Sequence, residues 1–128
     1  MDDATARALI AEHFENAGGD EAKVQAIYTD DAVLEFPQSG ERIRSKANIQ
    51  AFRTAYPARV RLEPRRTIGR DDLWISEGRI SYNDAPPSNN VSIMEFRGNK
   101  VFRETIYICD PWDPPAWRAQ WVEPMTEL

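Results

Sequence analysis

The spacing of apolar residues predicts that the chain begins with two helices. Between Thr5 and Ala17, apolar residues recur at helical spacing and form one stripe that includes His13. Gly18 and Gly19 end this helix. Asp20 then stands where an N-cap is expected, ahead of a short second helix that runs to Tyr28.

A third helix and an antiparallel sheet follow. Residues Ala32 to Phe36 alternate as a short strand does, and Ser45 can cap a helix that ends before Pro57. The later runs alternate with period two and predict strands over residues 60–68, 73–82, 91–97 and 100–109. Helices first and strands later indicate an α+β fold, a curved antiparallel sheet wrapped over three helices around a blind pocket.

The C-terminal tail, residues 112–128, is rich in tryptophan and proline. Asp113, followed by two prolines, resembles the start of a short helix that would place Trp117 and Trp121 on one side. Large aromatic side chains mainly provide buried area, so packing on a sheet edge or a partner subunit is the favoured interpretation. The alternative is a lid over the pocket, with Trp112 in contact with the ligand.

The length and composition indicate one globular domain over residues 1–128. No secretion signal or membrane-spanning run is visible, so we expect a cytoplasmic protein without membrane contact. Cys109 is the only cysteine and His13 the only histidine, which disfavours a disulfide, a zinc site or another bound metal. No cofactor is expected.

Charge is segregated along the chain. Residues 1–35 carry nine acids and two bases, whereas residues 41–70 carry nine bases and two acids. Arg59, Arg61 and Arg65 fall at strand spacing, so a solvated sheet face explains the basic segment. The net charge of −5 repels phosphate backbones, and no basic cluster alternates with aromatic residues. We therefore expect no nucleic-acid partner.

Three stretches of the chain resemble SnoaL-like proteins of the nuclear transport factor 2-like superfamily. They are YTDDAVLEFP, QSGERIRSKANIQAF and NVSIMEFRGNKVFRETIYICDPWDPPAW, in the expected order over nearly the whole chain. The resemblance implies a cystatin-like, cone-shaped α+β barrel, commonly a homodimer through the outer sheet face, with a pocket between sheet and helices. Members include isomerases, cyclases, dehydratases and epoxide hydrolases as well as proteins that only bind, so the fold leaves the reaction open.

The ketosteroid isomerase pattern of that superfamily is not kept. Its general-base aspartate falls on Phe36, and the acid of its oxyanion hole falls on Met94. Its helical tyrosine falls at Glu12, or at His13 if the register slips by one. Proton abstraction beside a ketone needs a positioned base and donors for the developing oxyanion, and neither Phe36 nor Met94 can provide them.

Strand alternation predicts which side chains line the pocket. If Met94 points inward, the same phase turns Ser92, Phe96 and residues on the two neighbouring strands inward as well. The inward set on those strands is Trp74, Ser76, Ile80, Tyr82, Phe102, Glu104, Ile106 and Ile108. We expect Phe36, Trp74, Tyr82, Met94 and Ile106 to bind the ligand, with Tyr28 donating a hydrogen bond.

His13, Arg53 and Glu104 are the candidate catalytic residues. His13 lies in the apolar stripe of the first helix, and its ordinary pKa of about 6.5 suits acid or base chemistry. A buried histidine held by a hydrogen bond in the core is the alternative. Glu104 would be costly to bury alone, and Arg53 could pair with it in a purely structural contact. Asp110 could act at the pocket mouth or cap the tail, and Glu35 is a minor candidate.

Two functions of different kind follow. The first is a cofactor-free enzyme acting on a small, mostly apolar molecule, with His13 and Glu104 as acid and base and Arg53 or Tyr28 holding an oxygen. The second is a binding or accessory dimer without chemistry. A closed Arg53–Glu104 ion pair would favour the second.

Overall fold

A computed structural model describes residues 1–125, so the last three residues of the predicted tail lie outside the described residues. Three α-helices and a six-stranded sheet make up the fold. The helices are α1 (Asp3–Glu15), α2 (Glu21–Gln25) and α3 (Lys46–Ala55). The strands are β1 (Tyr28–Phe36), β2 (Glu41–Arg44), β3 (Val60–Arg70), β4 (Leu73–Tyr82), β5 (Ser88–Arg97) and β6 (Lys100–Cys109).

The sheet has the strand order β2-β1-β6-β5-β4-β3 and packs against the helices. The predicted α+β fold with a curved, cone-like sheet is confirmed. The prediction that the sheet is wholly antiparallel is wrong, because β1 runs parallel to β6 while the other pairs are antiparallel. The sheet is open, with β2 and β3 as its edges. Side chains from α1, β1 and α3 meet the inner faces of β4, β5 and β6 in one core.

The first two helices differ from the prediction at their ends. Helix α1 begins two residues earlier than predicted, with the Asp2 carboxylate accepting a hydrogen bond from the Thr5 amide at 2.8 Å. Asp20 caps α2 as predicted, but the helix ends at Gln25. Tyr28 starts β1 instead, because Ile27 and Tyr28 pair with Val101 on the parallel neighbour β6.

Two features of the sheet were not anticipated. The short edge strand β2 consists of mostly charged residues, for which the sequence pattern predicted no strand. A bulge after Glu95 shifts the pairing of β5 with β6, so Phe96 lies opposite Val101. Val101 is therefore buried, and the prediction that Phe102 points inward is wrong: Arg97 lies over its ring instead.

Helix α3 begins at the predicted cap. The Ser45 hydroxyl accepts a hydrogen bond from the Asn48 amide at 3.2 Å. Because this cap satisfies one of the free amides of the first turn, Ser45→Ala should lower the free energy of unfolding by about 1 kcal/mol. Ser45→Asp, which retains an acceptor, is the matched control and should cost less. Urea unfolding of both variants checks this, and equal losses would contradict the capping role.

The tail leaves the sheet after β6 and contains a 3₁₀ turn over Ala116–Trp121. Trp112 is 78% exposed, and Trp117 and Trp121 are exposed to a similar degree. The tail thus presents three large aromatic side chains to solvent. None of the helices within residues 1–125 has the length and apolar character needed to cross a membrane.

Candidate functional site

A cavity of about 620 Å³ lies between the inner sheet face and the helices. It occupies one end of the sheet, where β4 and β6 end and β5 begins. Exposed residues of the β1–β2 turn and of the segment after α3 form its rim. The interior is mostly apolar, and its apolar lining includes Val24, Leu34, Phe36, Phe52, Tyr56, Leu62, Ile80, Tyr82, Ile106 and Ile108.

A polar cluster of His13, Tyr28, Arg53, Ser92 and Glu104 lies at the inner end of this cavity. The Glu104 side chain is 1% exposed and accepts hydrogen bonds from the Tyr28 hydroxyl and, at 2.5 Å, from the Ser92 hydroxyl. Arg53 donates to the Tyr28 oxygen at 2.9 Å, and its second terminal nitrogen is 3.6 Å from Glu104 Oε1. The carboxylate is thereby enclosed by three partners.

Burial and neighbouring charges shift the pKa values of Arg53 and Tyr28 in the polar cluster. Burial opposes the charge on Arg53, but Tyr28 and Glu104 outweigh it and hold the arginine pKa above its ordinary value. Burial, reinforced by the Glu104 charge, raises the pKa of the Tyr28 hydroxyl well above its usual range. At neutral pH, Tyr28 is therefore a hydrogen-bond donor to Glu104, and Arg53 is a cation.

His13 enters the cluster as a neutral ring. Its Nδ1 lies 2.8 Å from the Val24 carbonyl oxygen, which can only accept, so Nδ1 carries the proton. Burial lowers the pKa of His13 to about 4, although the Glu104 charge acts in the opposite direction. In this tautomer Nε2 is a free acceptor, and no residue within 1–125 donates to it. His13 lines the cavity.

Four aromatic rings form a continuous wall along the cavity. Phe36 and Phe52 have ring centroids 5.8 Å apart, Phe52 and Tyr56 6.3 Å, and Tyr56 and Tyr82 5.6 Å. Burial, followed by the neighbouring Tyr56, raises the pKa of Tyr82 to about 12, so the Tyr82 hydroxyl is protonated at neutral pH. This aromatic wall connects β1, α3 and β4.

The structure brings six of the ten predicted site residues to the cavity wall. They are His13, Phe36, Arg53, Tyr82, Glu104 and Ile106. Tyr28 is buried beside them and reaches the cavity through its hydrogen bonds with Arg53 and Glu104. The roles of all these residues remain a proposal.

Three predicted ligand-binding residues do not line the cavity. Trp74 and Met94 point to the inner face as expected, but they pair at the opposite end of the sheet, where they are buried in the core. Strand alternation gives the face of a sheet but not the position along it, which explains this error. Trp112 extends into solvent and also lies outside the cavity lining.

Asp110 and Glu35, the two further acids considered from the sequence, have partners outside the cavity. Asp110 accepts a hydrogen bond from the Ser88 hydroxyl at 2.6 Å, across the start of β5. Glu35 pairs with Arg42 and Arg103 on the neighbouring strands. Neither lines the cavity.

Sequence reasoning missed several cavity residues. Glu21 on α2 lines the cavity, as do Phe52, Tyr56 and Asn90. The helical spacing of Phe52 and Tyr56 with Ile49 was a usable signal, because it placed them on the inward side of α3. Nothing in the sequence distinguished Glu21 from the other acids near the N-terminus. Within residues 1–125, no three His, Cys, Asp or Glu side chains are grouped as a metal site would require.

Comparisons with solved structures place this geometry in a known superfamily. A nuclear transport factor 2-like protein of unknown function from Burkholderia xenovorans is 44% identical, with a TM-score of 0.85, 95% of this chain covered and 96% of that one. A candidate ketosteroid isomerase from Kribbella flavida is 24% identical, with a TM-score of 0.87 and coverages of 97% and 92%. A candidate polyketide cyclase from Sinorhizobium meliloti is 17% identical, with a TM-score of 0.68 and coverages of 77% and 93%.

The sequence comparisons agree with the fold. A search of curated protein sequences gave no match. The family model described as a SnoaL-like domain matches residues 6–104, which include helices α1 to α3 and the strands up to Glu104 on β6. With most of the chain matched, and a relative of 44% identity over 95% of its length, the protein belongs to the SnoaL-like family of the nuclear transport factor 2-like superfamily.

Proposed function

We propose that this protein binds a small, mostly apolar molecule that carries at least one oxygen. The observation that carries the proposal is a cavity of about 620 Å³ whose apolar wall ends in a polar cluster. Such a combination is typical of small-molecule sites, where apolar contact supplies affinity and a few polar groups fix orientation. The aromatic wall offers flat surfaces for ring stacking.

Arg53 is the proposed anchor for the ligand oxygen. A guanidinium has five N–H donors, and the hydrogen bond to Tyr28 and the contact with Glu104 leave others available. The side chain is 19% exposed and lines the cavity, so these donors can reach a ligand. His13 Nε2 is the matching acceptor for a ligand hydroxyl.

The Arg53–Glu104 contact favours binding over catalysis. A general base must be free to take a proton from the substrate. Glu104 instead receives hydrogen bonds from Tyr28 and Ser92 and faces the Arg53 cation, so its lone pairs are largely occupied. A structural role for this pair explains its burial without any reaction.

Cofactor-free acid–base catalysis of the cyclase, isomerase or dehydratase type is the second candidate function. The free Nε2 of neutral His13 supports it, because that atom can accept a proton from a bound substrate. Incubation with 2-tetralone in heavy water tests this candidate: NMR should show faster exchange of the acidic carbon-bound protons than with His13→Asn. Equal exchange rates would reject His13 as a base for this reaction.

Blocking the cavity tests the binding proposal. Ile106→Trp adds a bulky ring to the cavity wall. Because the ring takes up space that the ligand needs, binding of 2-naphthol, a small apolar alcohol, should weaken by at least about tenfold, which corresponds to about 1.4 kcal/mol. Glu12→Trp, on the exposed face of α1, is the control and should bind as the unaltered protein does. Isothermal titration calorimetry measures both. Equal affinities for the two variants, or no binding by the unaltered protein, would contradict the proposal.

We further propose a homodimer through the outer sheet face. Ile75, Val91 and Ile93 lie on that face only partly buried, beside the exposed Tyr107. Together they form an apolar surface across three paired strands. Light scattering during size exclusion should give twice the chain mass, and Ile93→Lys should halve it. A monomer for the unaltered chain would reject this arrangement.

A further inference from the structure

Three buried polar atoms on helix α2 make no hydrogen bond within residues 1–125. They are Oε2 of Glu21 and both amide atoms of Gln25. The two residues are one helical turn apart, so their side chains leave the same face of α2. Gln25 is 2% exposed, which leaves bulk water no access to its amide.

Such groups are costly unless something bonds to them. Leaving a buried amide or carboxylate oxygen without a partner costs about 1 to 3 kcal/mol or more, and most buried polar atoms in proteins are paired. The same face of α2 has three such atoms together. A ligand or ordered water that supplies donors to the two oxygens and an acceptor to Gln25 Nε2 would remove this cost.

Glu21 connects this face to the cavity. Its side chain is part of the cavity lining, and its charge contributes to the raised pKa of Arg53. Within the described part of the chain it forms no ion pair, because Arg53 is directed to Tyr28 and Glu104. Among the described residues that line the cavity, Arg53, Glu21 and Glu104 are the charged groups of the inner wall, whereas Glu41 and Arg59 are exposed at the rim.

We propose that the Glu21 carboxylate is a second polar subsite of the cavity that accepts a hydrogen bond from a donor group on the ligand. The inference rests on the proposed binding function and specifies the ligand further. The molecule has an oxygen at the Arg53 end and a hydroxyl or a protonated amine at the Glu21 end. A carboxylate or an ether at the second position does not fit, because it brings no donor to the Glu21 carboxylate.

A matched set of naphthalenes tests the subsite on the intact protein. Naphthalene-2,6-diol has a donor at both ends, its methyl ether 2,6-dimethoxynaphthalene keeps both oxygens but has no donor at either end, and 6-(aminomethyl)-2-naphthol has a cation at one end. A hydrogen bond to a charged group is worth about tenfold to a hundredfold in affinity. The diol should therefore bind at least about tenfold more tightly than the methyl ether, as measured by calorimetry.

Variants at Glu21 locate the effect. In Glu21→Leu the preference for the diol over the methyl ether should disappear, while Glu15→Leu, an exposed acid on α1, should keep it. Glu21→Gln retains an acceptor and removes the charge. It should preserve most of the diol preference and selectively weaken binding of the amine, which loses its charge partner.

The outcomes distinguish a failure of the Glu21 subsite from a failure of the proposed binding function. Equal binding of the diol and the methyl ether by the unaltered protein overturns the Glu21 subsite, yet the binding function stands if Ile106→Trp abolishes binding of both. A diol preference that persists in Glu21→Leu also overturns it. If no naphthalene binds, the binding function and the subsite fail together.

Discussion

Replacing Arg53 by methionine should lower the free energy of unfolding by about 3 to 5 kcal/mol at neutral pH, which is the cost of removing one partner of a buried pair. Glu104 would keep its hydrogen bonds from Tyr28 and Ser92 but would lose the cation whose terminal nitrogen lies 3.6 Å from its Oε1. At 1% exposure the carboxylate cannot recover this stabilisation from water. Methionine keeps most of the volume of the arginine stem, so the loss reports charge rather than packing.

Two further variants isolate the pair. Arg59→Met removes an exposed arginine whose partner, Asp84, is exposed as well, and it should change stability by no more than about 1 kcal/mol. In the double variant Arg53→Met with Glu104→Gln, the buried charge is gone, and an amide still accepts from Tyr28. Urea unfolding should show a large part of the stability restored. A loss in Arg53→Met no greater than that in Arg59→Met would refute the buried ion pair.

Acidification should destabilise the protein through His13. Burial lowers the folded-state pKa to about 4, whereas the unfolded chain has the ordinary value of about 6.5. Above the unfolded pKa both states are neutral and the histidine contributes nothing. As the pH falls from about 6.5 to about 4, the unfolded state binds the proton first, so the folded state loses about 1.4 kcal/mol per pH unit, roughly 3 kcal/mol in total.

His13→Asn provides the comparison for this pH effect. The asparagine amide can replace Nδ1–H as a donor to the Val24 carbonyl, and it does not titrate. Carboxylates elsewhere contribute equally to both proteins, so the difference between their stability curves over this pH range isolates the histidine. Parallel curves would mean that His13 titrates in the folded protein as it does in the unfolded chain, against its burial.

Local signals in the sequence predicted most of the fold. Strands β4 and β6 have the predicted ends, and Asp20 and Ser45 cap their helices as expected. These features depend on alternation and on capping, which act over a few residues. Helical spacing predicted an inward His13 and strand alternation an inward Glu104, and the structure brings both to one cavity with Arg53.

Features that depend on distant parts of the chain were not predictable. The bulge between β5 and β6 turns Val101 inward in place of Phe102, and only the paired strand reveals it. Trp74 and Met94 are on the expected face, but α1 and β1 fill that end of the sheet with core. The unpaired atoms of Glu21 and Gln25 follow from how α2 packs, which no local pattern encodes.

A crystal structure of the protein with 2-naphthol tests the central claim most directly. The account predicts the aromatic ring against Phe52 and Tyr56, with the hydroxyl oxygen within hydrogen-bond distance, about 3 Å, of the Arg53 guanidinium or of His13 Nε2. Density for the ligand only outside the cavity, or inside it with the oxygen turned away from both side chains, would contradict the account.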